Sequence, residues 1–274
     1  MAKRNPLIAV LLSLFLPGTG QLYNRQPNKA ILLYAMLLML PIIFVTLGWQ
    51  YHFRGLAALV FFMLTLYLLN IGDALLAAVK IKGRERKPAK KWALMFLLFF
   101  LGTNVYAIAK DSNMFGVRAF VLPANSMAPA LEAGDYIMVK MNDDESLKPA
   151  HGDIVMFRHQ RYPFLLKRIV AVGGETIEGK DGKIYVKGNL IDEPYAGYWG
   201  RREHLDAFNR QHATGDFGPI TVPADHFFVM GDNRDNSFDS RDPEFGLVAR
   251  DAIRGKPLYI YWSRNKTRVG REIK

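Results

Sequence analysis

The sequence contains no cysteine and few histidines. The absence of cysteine from all 274 residues rules out a disulfide, a thiol nucleophile and a thiolate metal site. It does not exclude an oxidising compartment. All six histidines fall outside the three chemical motifs described below, so an imidazole is a weak candidate for a catalytic base. A long helical period is also missing after residue 110, and we detect no internal repeat.

Positive charge is in excess, and the formal net charge of +11 raises the question of a nucleic-acid partner. Part of this charge lies in one basic run, residues 80–91, between two apolar segments. Basic loops beside membrane spans are explained by the positive-inside rule. We therefore expect a lipid bilayer as a partner and no nucleic acid.

Three apolar stretches approach the roughly 20 residues that a helix needs to cross a bilayer core. They predict spans at 30–48, 56–79 and 92–109, within a multi-span membrane region of residues 1–109. The run Leu7 to Leu16 is too short to span alone and is broken by Pro17-Gly18-Thr19-Gly20, which favours an interfacial or re-entrant segment. A cleaved signal peptide is the alternative, but no clear small-residue cleavage site follows the run.

The basic residues also predict the topology. Lys3, Arg4, Arg25 and Lys29 precede the first span, and the 80–91 run separates the second span from the third. Both groups belong in the cytoplasm, so residues 110–274 are expected on the extracytoplasmic side of the cytoplasmic membrane. Asn70 and Asp73 lie within the second span, where polar groups are costly. We expect Asp73 to snorkel or to pair with Lys80.

The sequence pattern of residues 110–274 predicts short strands separated by Gly-Asp, Asp-Gly and proline-containing turns. The predicted strands are 117–122, 136–140, 153–158, 164–172, 183–187 and 227–230. This pattern predicts a mainly β domain, a sandwich or open barrel, with an irregular insertion over about 188–222. The fold class is therefore a mainly β domain attached to an N-terminal α-helical membrane region.

The first motif runs from Phe120 to Leu131 and is followed by Gly134-Asp135. Within it, Ser126 lies on a tight, proline-bracketed turn beside an apolar strand, where its side chain is held at a fixed angle, as a nucleophile requires. Most serines in such turns merely satisfy backbone groups. This motif alone leaves both interpretations open.

The second motif, Phe164 to Glu175, contains adjacent cations in a predicted strand. With a period of two, Lys167 and Arg168 point to opposite faces, so the amine can enter an apolar environment while the guanidinium stays in water. Burial should lower the pKa of Lys167 from its usual value near 10.4 and allow the neutral amine to act as a general base. The alternative is a pair of cations that protects an edge strand from aggregation.

The third motif, Met230 to Arg241, is dense in turn-forming residues and follows an apolar strand. A solvated turn or a calcium loop would explain its acids. The liganding alternation and closing glutamate of an EF-hand are missing, however, and two arginines lie among the acids. We therefore expect no metal site.

Together these motifs resemble the type I signal peptidases of bacteria, over roughly residues 117–263. The resemblance implies a membrane-bound serine endopeptidase that removes signal peptides from secreted preproteins and requires no cofactor. It implies that Ser126 is the nucleophile, that Lys167 is the general base and that Ser237 orients the lysine amine. Asp239 and Arg241 would form a supporting ion pair, and Gly231 and Asp232 would shape the turn that carries them. The substrate-binding residues implied by the resemblance are Phe120, Leu122, Leu131 and Leu166.

Two positions depart from the family pattern. Many members have a serine two residues before the nucleophile, whose hydroxyl helps to stabilise the oxyanion, and this chain has Ala124. The usual glycine before the nucleophile is Asn125, the commonest non-glycine type at positive φ, so the turn should survive. Two alternatives stay open: a specialised enzyme for one dedicated precursor, and an inactive membrane-anchored relative that only binds peptides.

Overall fold

The computed structural model describes residues 5–80, 102, 116–141, 147–197 and 216–274. The chain divides into two compact units, residues 1–115 and 116–274. The first is helical where it is described, and the second is mainly β. The coarse fold class predicted from the sequence is confirmed. Except for Gly102, the predicted span 92–109 lies outside the described residues, as does the basic run 80–91 apart from Lys80.

The helical unit contains two short and two long helices. Their bounds are α1 Pro6–Phe15, α2 Thr19–Tyr23, α3 Pro27–Thr46 and α4 Phe53–Lys80, with one 3-10 turn at Trp49–Tyr51. Asn5 caps α1 by accepting a hydrogen bond from the Leu7 N–H at 2.9 Å. In the described part of the chain, α3 and α4 are long and apolar enough to cross a membrane; α4 contains the predicted span 56–79, and α3 overlaps the predicted span 30–48 as far as residue 46.

Polar contacts join the short helices to α4. Gly20 of α2 approaches α1 and α4 so closely that a Cβ atom there would lie 2.4 Å from the Ala9 carbonyl oxygen and 2.8 Å from the Ala74 Cβ. The buried Asn70 accepts a hydrogen bond from the Gly18 N–H at 3.0 Å. The expected pairing of Asp73 with Lys80 is wrong, because Asp73 binds the Lys29 amine at 2.5 Å. Folding of the chain places the start of α3 beside Asp73, a relation that sequence spacing along α4 does not reveal.

The β unit consists of two antiparallel sheets. Its strands are β1 Val117–Val121, β2 Tyr136–Met141, β3 Ile154–Phe157, β4 Leu165–Val172, β5 Thr176–Lys180, β6 Lys183–Val186, β7 Asn189–Leu190, β8 Phe217–Thr221, β9 His226–Met230, β10 Val248–Ala249 and β11 Ile253–Trp262. The larger sheet has the order β1-β2-β11-β3-β4-β9-β10, and the smaller has the order β7-β6-β5-β8. The insertion predicted as irregular over 188–222 thus contains β7 and β8 near its ends.

Strand β4 occupies the interior of the larger sheet, between β3 and β9. Its residues Val170 and Ala171 join a buried apolar cluster that also contains Ile177 and Ile184 of the smaller sheet. Ile169, next to them in the strand, belongs to a different buried cluster, with Val155 and Phe227. Apolar packing therefore surrounds β4 on both faces, which explains the near-continuous apolar run in its sequence.

Candidate active site

The turn that carries Ser126 connects β1 to β2, two strands paired in antiparallel register. The Ala128 N–H donates to the Asn125 carbonyl at 3.1 Å and the Leu131 N–H to the Met127 carbonyl at 2.8 Å, which closes the turn on both sides of the serine. Met127 is buried and anchors the turn, whereas Ser126 stays partly exposed. A partly exposed hydroxyl on an anchored turn can meet a substrate carbonyl.

Asn125 does not adopt the positive φ that we expected of it. Its side-chain oxygen instead accepts a hydrogen bond from the Ala133 N–H at 2.7 Å. The turn therefore requires no left-handed residue before Ser126. The asparagine stabilises the turn through its side chain, and not through the backbone freedom that a glycine would supply.

The turn is fixed to a second segment, residues 231–241, which follows β9 and is called the 231–241 loop below. Asn233 of this loop donates its backbone N–H to the Ser126 carbonyl at 3.1 Å and its side-chain amide to the Asn125 carbonyl, also at 3.1 Å. Sequence analysis did not select Asn233, although it lies inside the third motif. These two bonds hold the nucleophile turn and the loop in one geometry.

Gly231 begins the loop at the point where the two segments approach most closely. A Cβ atom at this position would lie 2.4 Å from the Ser126 carbonyl oxygen and 2.2 Å from the Ser237 Oγ, distances that real Cβ atoms do not show. The Ser237 hydroxyl is buried and has no hydrogen-bond partner among the described residues. A buried hydroxyl without a partner is costly, which makes Ser237 a candidate to interact with another group of the site.

Lys167 lies in β4 opposite Val155 of β3 and is only 2% exposed. Burial, aided by the nearby positive charge of Arg241, lowers the pKa of Lys167 to about 8, although Asp239 and Asp232 act in the opposite direction. An amine with this pKa is neutral in a substantial fraction of molecules at mildly alkaline pH. It can therefore accept a proton there.

Asp239 and Arg241 form a buried ion pair inside the loop. The Arg241 Nε lies 2.8 Å from Asp239 Oδ1, and Asp239 Oδ2 accepts the Gly231 N–H at 2.9 Å. Burial acts to raise the pKa of Asp239, but the Arg241 guanidinium and the Lys167 amine outweigh it, and the pKa lies below its ordinary value. The structure thus forms the ion pair implied by the resemblance and joins its carboxylate to Gly231.

The expectation that the Arg168 guanidinium lies in water is wrong. Arg168 is 3% exposed and makes two bonds to the buried Asp232 carboxylate, at 2.6 and 2.8 Å. The expectation failed because it assumed one solvated face for β4, and both faces are covered. Asp232 therefore neutralises a buried cation besides belonging to the turn.

The four residues expected to bind substrate belong to one apolar cluster, together with Met127 of the nucleophile turn. Leu122 and Leu131 are buried, at 8% and 0% exposure, whereas Phe120 and Leu166 are partly exposed. Phe120 and Leu166 therefore present the exposed part of this cluster, and Leu122 and Leu131 fill its interior. A separate cavity of about 810 Å3, lined in part by Pro149, His226 and Arg254, involves none of these four residues.

Arg268 supports the same turn from the end of the β unit and was missed by sequence analysis. It is 3% exposed, binds Asp135 at 2.7 Å, and donates to the carbonyls of Pro129 and Ala130, both at 3.0 Å. Arg268 and Asp135 are separated by 133 positions in the sequence. No local pattern around either one indicates that they meet.

Ser126 and Lys167 thus both lie against the 231–241 loop, the serine through backbone contacts and the lysine through its charge interactions. A partly exposed serine and a buried lysine of lowered pKa are the two groups that a serine hydrolase with a lysine base requires. Comparison with known sequences gives the family. The model of "Signal peptidase, peptidase S26" matches residues 91–262, more than half of the chain, and the chain belongs to this family. A second model, of a family of unknown function, matches residues 2–57.

Two curated relatives agree with the family assignment. Signal peptidase I S of Bacillus subtilis is 36% identical over 67% of this chain and 95% of its own length. Signal peptidase I of Bacillus amyloliquefaciens is 30% identical over 69% of this chain and 98% of its own length. Among solved structures, a crystal structure of a signal peptidase I from Enterococcus faecalis contains a chain 29% identical in sequence to this protein. The match covers 40% of this chain and 97% of the Enterococcus chain, with a TM-score of 0.31.

Proposed function

We propose that this signal peptidase family member cuts preproteins by means of Ser126 as the nucleophile and Lys167 as the general base. The observation that carries the proposal is the near-complete burial of Lys167, which lowers its pKa to about 8. An ordinary surface lysine would hold its proton and could not activate a hydroxyl at working pH. The Ser237 hydroxyl, unpartnered among the described residues, is assigned to orient the amine.

The reaction then follows the usual order of acyl transfer. The neutral Lys167 amine takes the Ser126 proton while Oγ attacks the scissile carbonyl, and the Ser126 backbone N–H stabilises the oxyanion. The lysine ammonium next protonates the leaving amine, which leaves an acyl-enzyme on Ser126. A water activated by Lys167 hydrolyses this ester. Ala124 supplies no hydroxyl, so the oxyanion depends on backbone donors.

The substrate is a preprotein with small residues at its cleavage site. The cluster of Phe120, Leu122, Leu131 and Leu166 supports apolar recognition next to Ser126. The buried Leu122 and Leu131 fill the interior of the cluster, which favours Ala, Gly or Ser side chains of the substrate over larger ones.

The two sheets share an apolar core through residues such as Val170 and Ile177, which supports the sandwich or open-barrel arrangement predicted from the sequence.

The membrane placement is part of the same proposal. Helices α3 and α4 support at least two crossings, and a third at 92–109 would deliver the catalytic unit to the extracytoplasmic face. Protease added to intact spheroplasts should digest residues 116–274 under this topology. Digestion seen only after lysis would place the catalytic unit in the cytoplasm and contradict it.

Cleavage of a preprotein by the full chain in detergent tests the enzymatic proposal. Ser126→Ala should abolish processing and leave the unfolding temperature nearly unchanged, because Ser126 is partly exposed. Thr176→Ala, which removes an exposed hydroxyl elsewhere in the catalytic unit, is the control and should cleave at the wild-type rate. Processing by Ser126→Ala at a comparable rate would exclude this serine as the nucleophile.

A further inference from the structure

Residues 191–197, called the support segment, run alongside the 231–241 loop after β7. The Gly197 N–H donates to the Asp232 carbonyl at 2.9 Å, and the Arg234 N–H donates to the Gly197 carbonyl at 3.0 Å. These bonds form a short parallel bridge between the segment and the loop. The beginning of the insertion is therefore attached to the loop that contacts both Ser126 and Lys167.

A buried charge pair strengthens this attachment. Arg234 is 1% exposed, and its two terminal nitrogens bind the Glu193 carboxylate at 2.6 and 2.9 Å. The third guanidinium nitrogen, Nε, donates to the Gly231 carbonyl at 3.0 Å. Glu193 thus fixes the side chain that in turn fixes Gly231. A buried guanidinium without this carboxylate would be strongly unfavourable.

Tyr195 connects this pair to the neighbouring arginine. Its ring centroid lies 4.0 Å from the guanidinium carbon of Arg168, a cation–π contact, and its hydroxyl donates to Glu193 Oε1 at 3.1 Å. Arg168 is the residue next to Lys167 in β4 and holds Asp232. The support segment consequently contacts both arginines that flank the start of the loop.

We propose that Glu193 and Tyr195 are positioning residues that hold the 231–241 loop in its catalytic geometry through Arg234 and Arg168. The inference rests on the proposed function. Neither residue belongs to the apolar cluster assigned to substrate, so their effect should fall on the chemical step and not on substrate binding. Displacement of Gly231 moves the surroundings of both the nucleophile and Ser237.

The test is steady-state cleavage of a preprotein by the full chain in detergent, well below each variant's unfolding temperature. Glu193→Gln should lower kcat at least tenfold and leave KM within twofold of wild type. Asp192→Asn makes the same charge change at the exposed neighbouring residue and should leave both constants within twofold. A Glu193→Gln, Arg234→Gln double variant should lose little more kcat than either single change, because the two side chains act as one unit.

A second pair of variants covers the case in which Glu193→Gln fails to fold. Tyr195→Phe keeps the ring over Arg168 and should retain at least a third of wild-type kcat, whereas Tyr195→Leu should lose at least tenfold. Wild-type kcat in Glu193→Gln or in Tyr195→Leu, or a loss carried by KM alone, would overturn the inference while Ser126→Ala remains inactive. Wild-type cleavage by Ser126→Ala would overturn the proposed function and this inference with it.

Discussion

Gly231 and Ser237 lie in such close contact that a Cβ atom added to Gly231 would be 2.2 Å from the Ser237 hydroxyl oxygen. The same Cβ would be 2.4 Å from the carbonyl oxygen of Ser126. The absence of a side chain at position 231 therefore allows the nucleophile turn and the 231–241 loop to approach each other.

Gly231→Ala should accordingly reduce kcat by about a hundredfold or more, since a displacement of roughly 1 Å can cost that much. The measurement is preprotein cleavage by folded, full-length protein in detergent. Gly72→Ala is the matched control, because a Cβ there meets no atom within 4 Å. Activity of Gly231→Ala within threefold of wild type would show that this close approach does not govern the site.

The buried pair of Arg268 and Asp135 should stabilise the turn that carries Ser126. Burial acts to raise the pKa of Asp135, but the Arg268 guanidinium, together with hydrogen bonds from the Glu132 N–H and from Ser263, outweighs it, and the pKa lies below its ordinary value. Arg268→Met leaves this carboxylate buried and unpaired, and should reduce the free energy of unfolding by about 3–5 kcal/mol.

Urea unfolding at pH 7 measures the Arg268→Met loss, with the exposed Arg271→Met as the control. The stability that the pair contributes is present above the unfolded pKa of Asp135, near 3.8, and decreases as pH falls through the lower folded value. An equal loss of unfolding free energy in both variants would show that the buried pair contributes no more stability than an exposed arginine does.

The buried amine of Lys167 should lower the free energy of unfolding at neutral pH. Its folded pKa of about 8 lies below the unfolded value of 10.5, so at pH 7 the folded state holds an unfavourable buried charge. Between these two values the unfolded state binds more protons, and stability rises with pH. Lys167→Met should therefore be inactive yet more stable at pH 7, by an amount on the order of 3 kcal/mol.

The gain in Lys167→Met should shrink as pH rises from 8 to 10.5. Denaturant unfolding of wild type and variant at several pH values follows the difference directly. A difference that is independent of pH would mean that the change in packing, and not the buried charge, determines the stability.

The burial of Leu122 and Leu131 should limit the size of the substrate residue that the apolar cluster accepts. Because Leu131 is fully buried and Leu122 nearly so, a large side chain has no space to enter without moving them. Preproteins with Ala, Gly or Ser before the cut should be processed, whereas Phe or Lys there should prevent cleavage. Equal rates for all of these substrates, measured by gel or mass spectrometry, would contradict the assignment of the cluster.

All six strands that the sequence predicted, at 117–122, 136–140, 153–158, 164–172, 183–187 and 227–230, agree within one residue at each end with β1, β2, β3, β4, β6 and β9. Strand β11 was missed although it lies between β2 and β3, because Gly255 and Pro257 interrupt its pattern. Its register shifts after Pro257, so the proline lies at an irregularity of the ladder.

The candidate site combines local and long-range information. Local motifs made Ser126 and Lys167 candidates, and only the resemblance of all three motifs to one family gave them catalytic roles. The partners Glu193, Arg234 and Arg268 could not be assigned to each other or to the site, because their contacts depend on how distant segments fold together. The error at Arg168 has the same origin, as its burial depends on Asp232, 64 residues away.

The most direct test of the Ser126/Lys167 account is the pH dependence of kcat/KM for preprotein cleavage by the full chain in detergent between about pH 6 and pH 10, for wild type and Lys167→Arg. His159→Phe is the control, since a phenyl ring preserves the stacking of His159 on Phe245 at 4.7 Å. Wild type and control should gain activity as pH rises through about 8, where Lys167 becomes neutral. Lys167→Arg should be inactive throughout, because a guanidinium does not lose its proton in this range. Cleavage by Lys167→Arg at a rate near wild type, or a wild-type profile without this rise, would contradict the account.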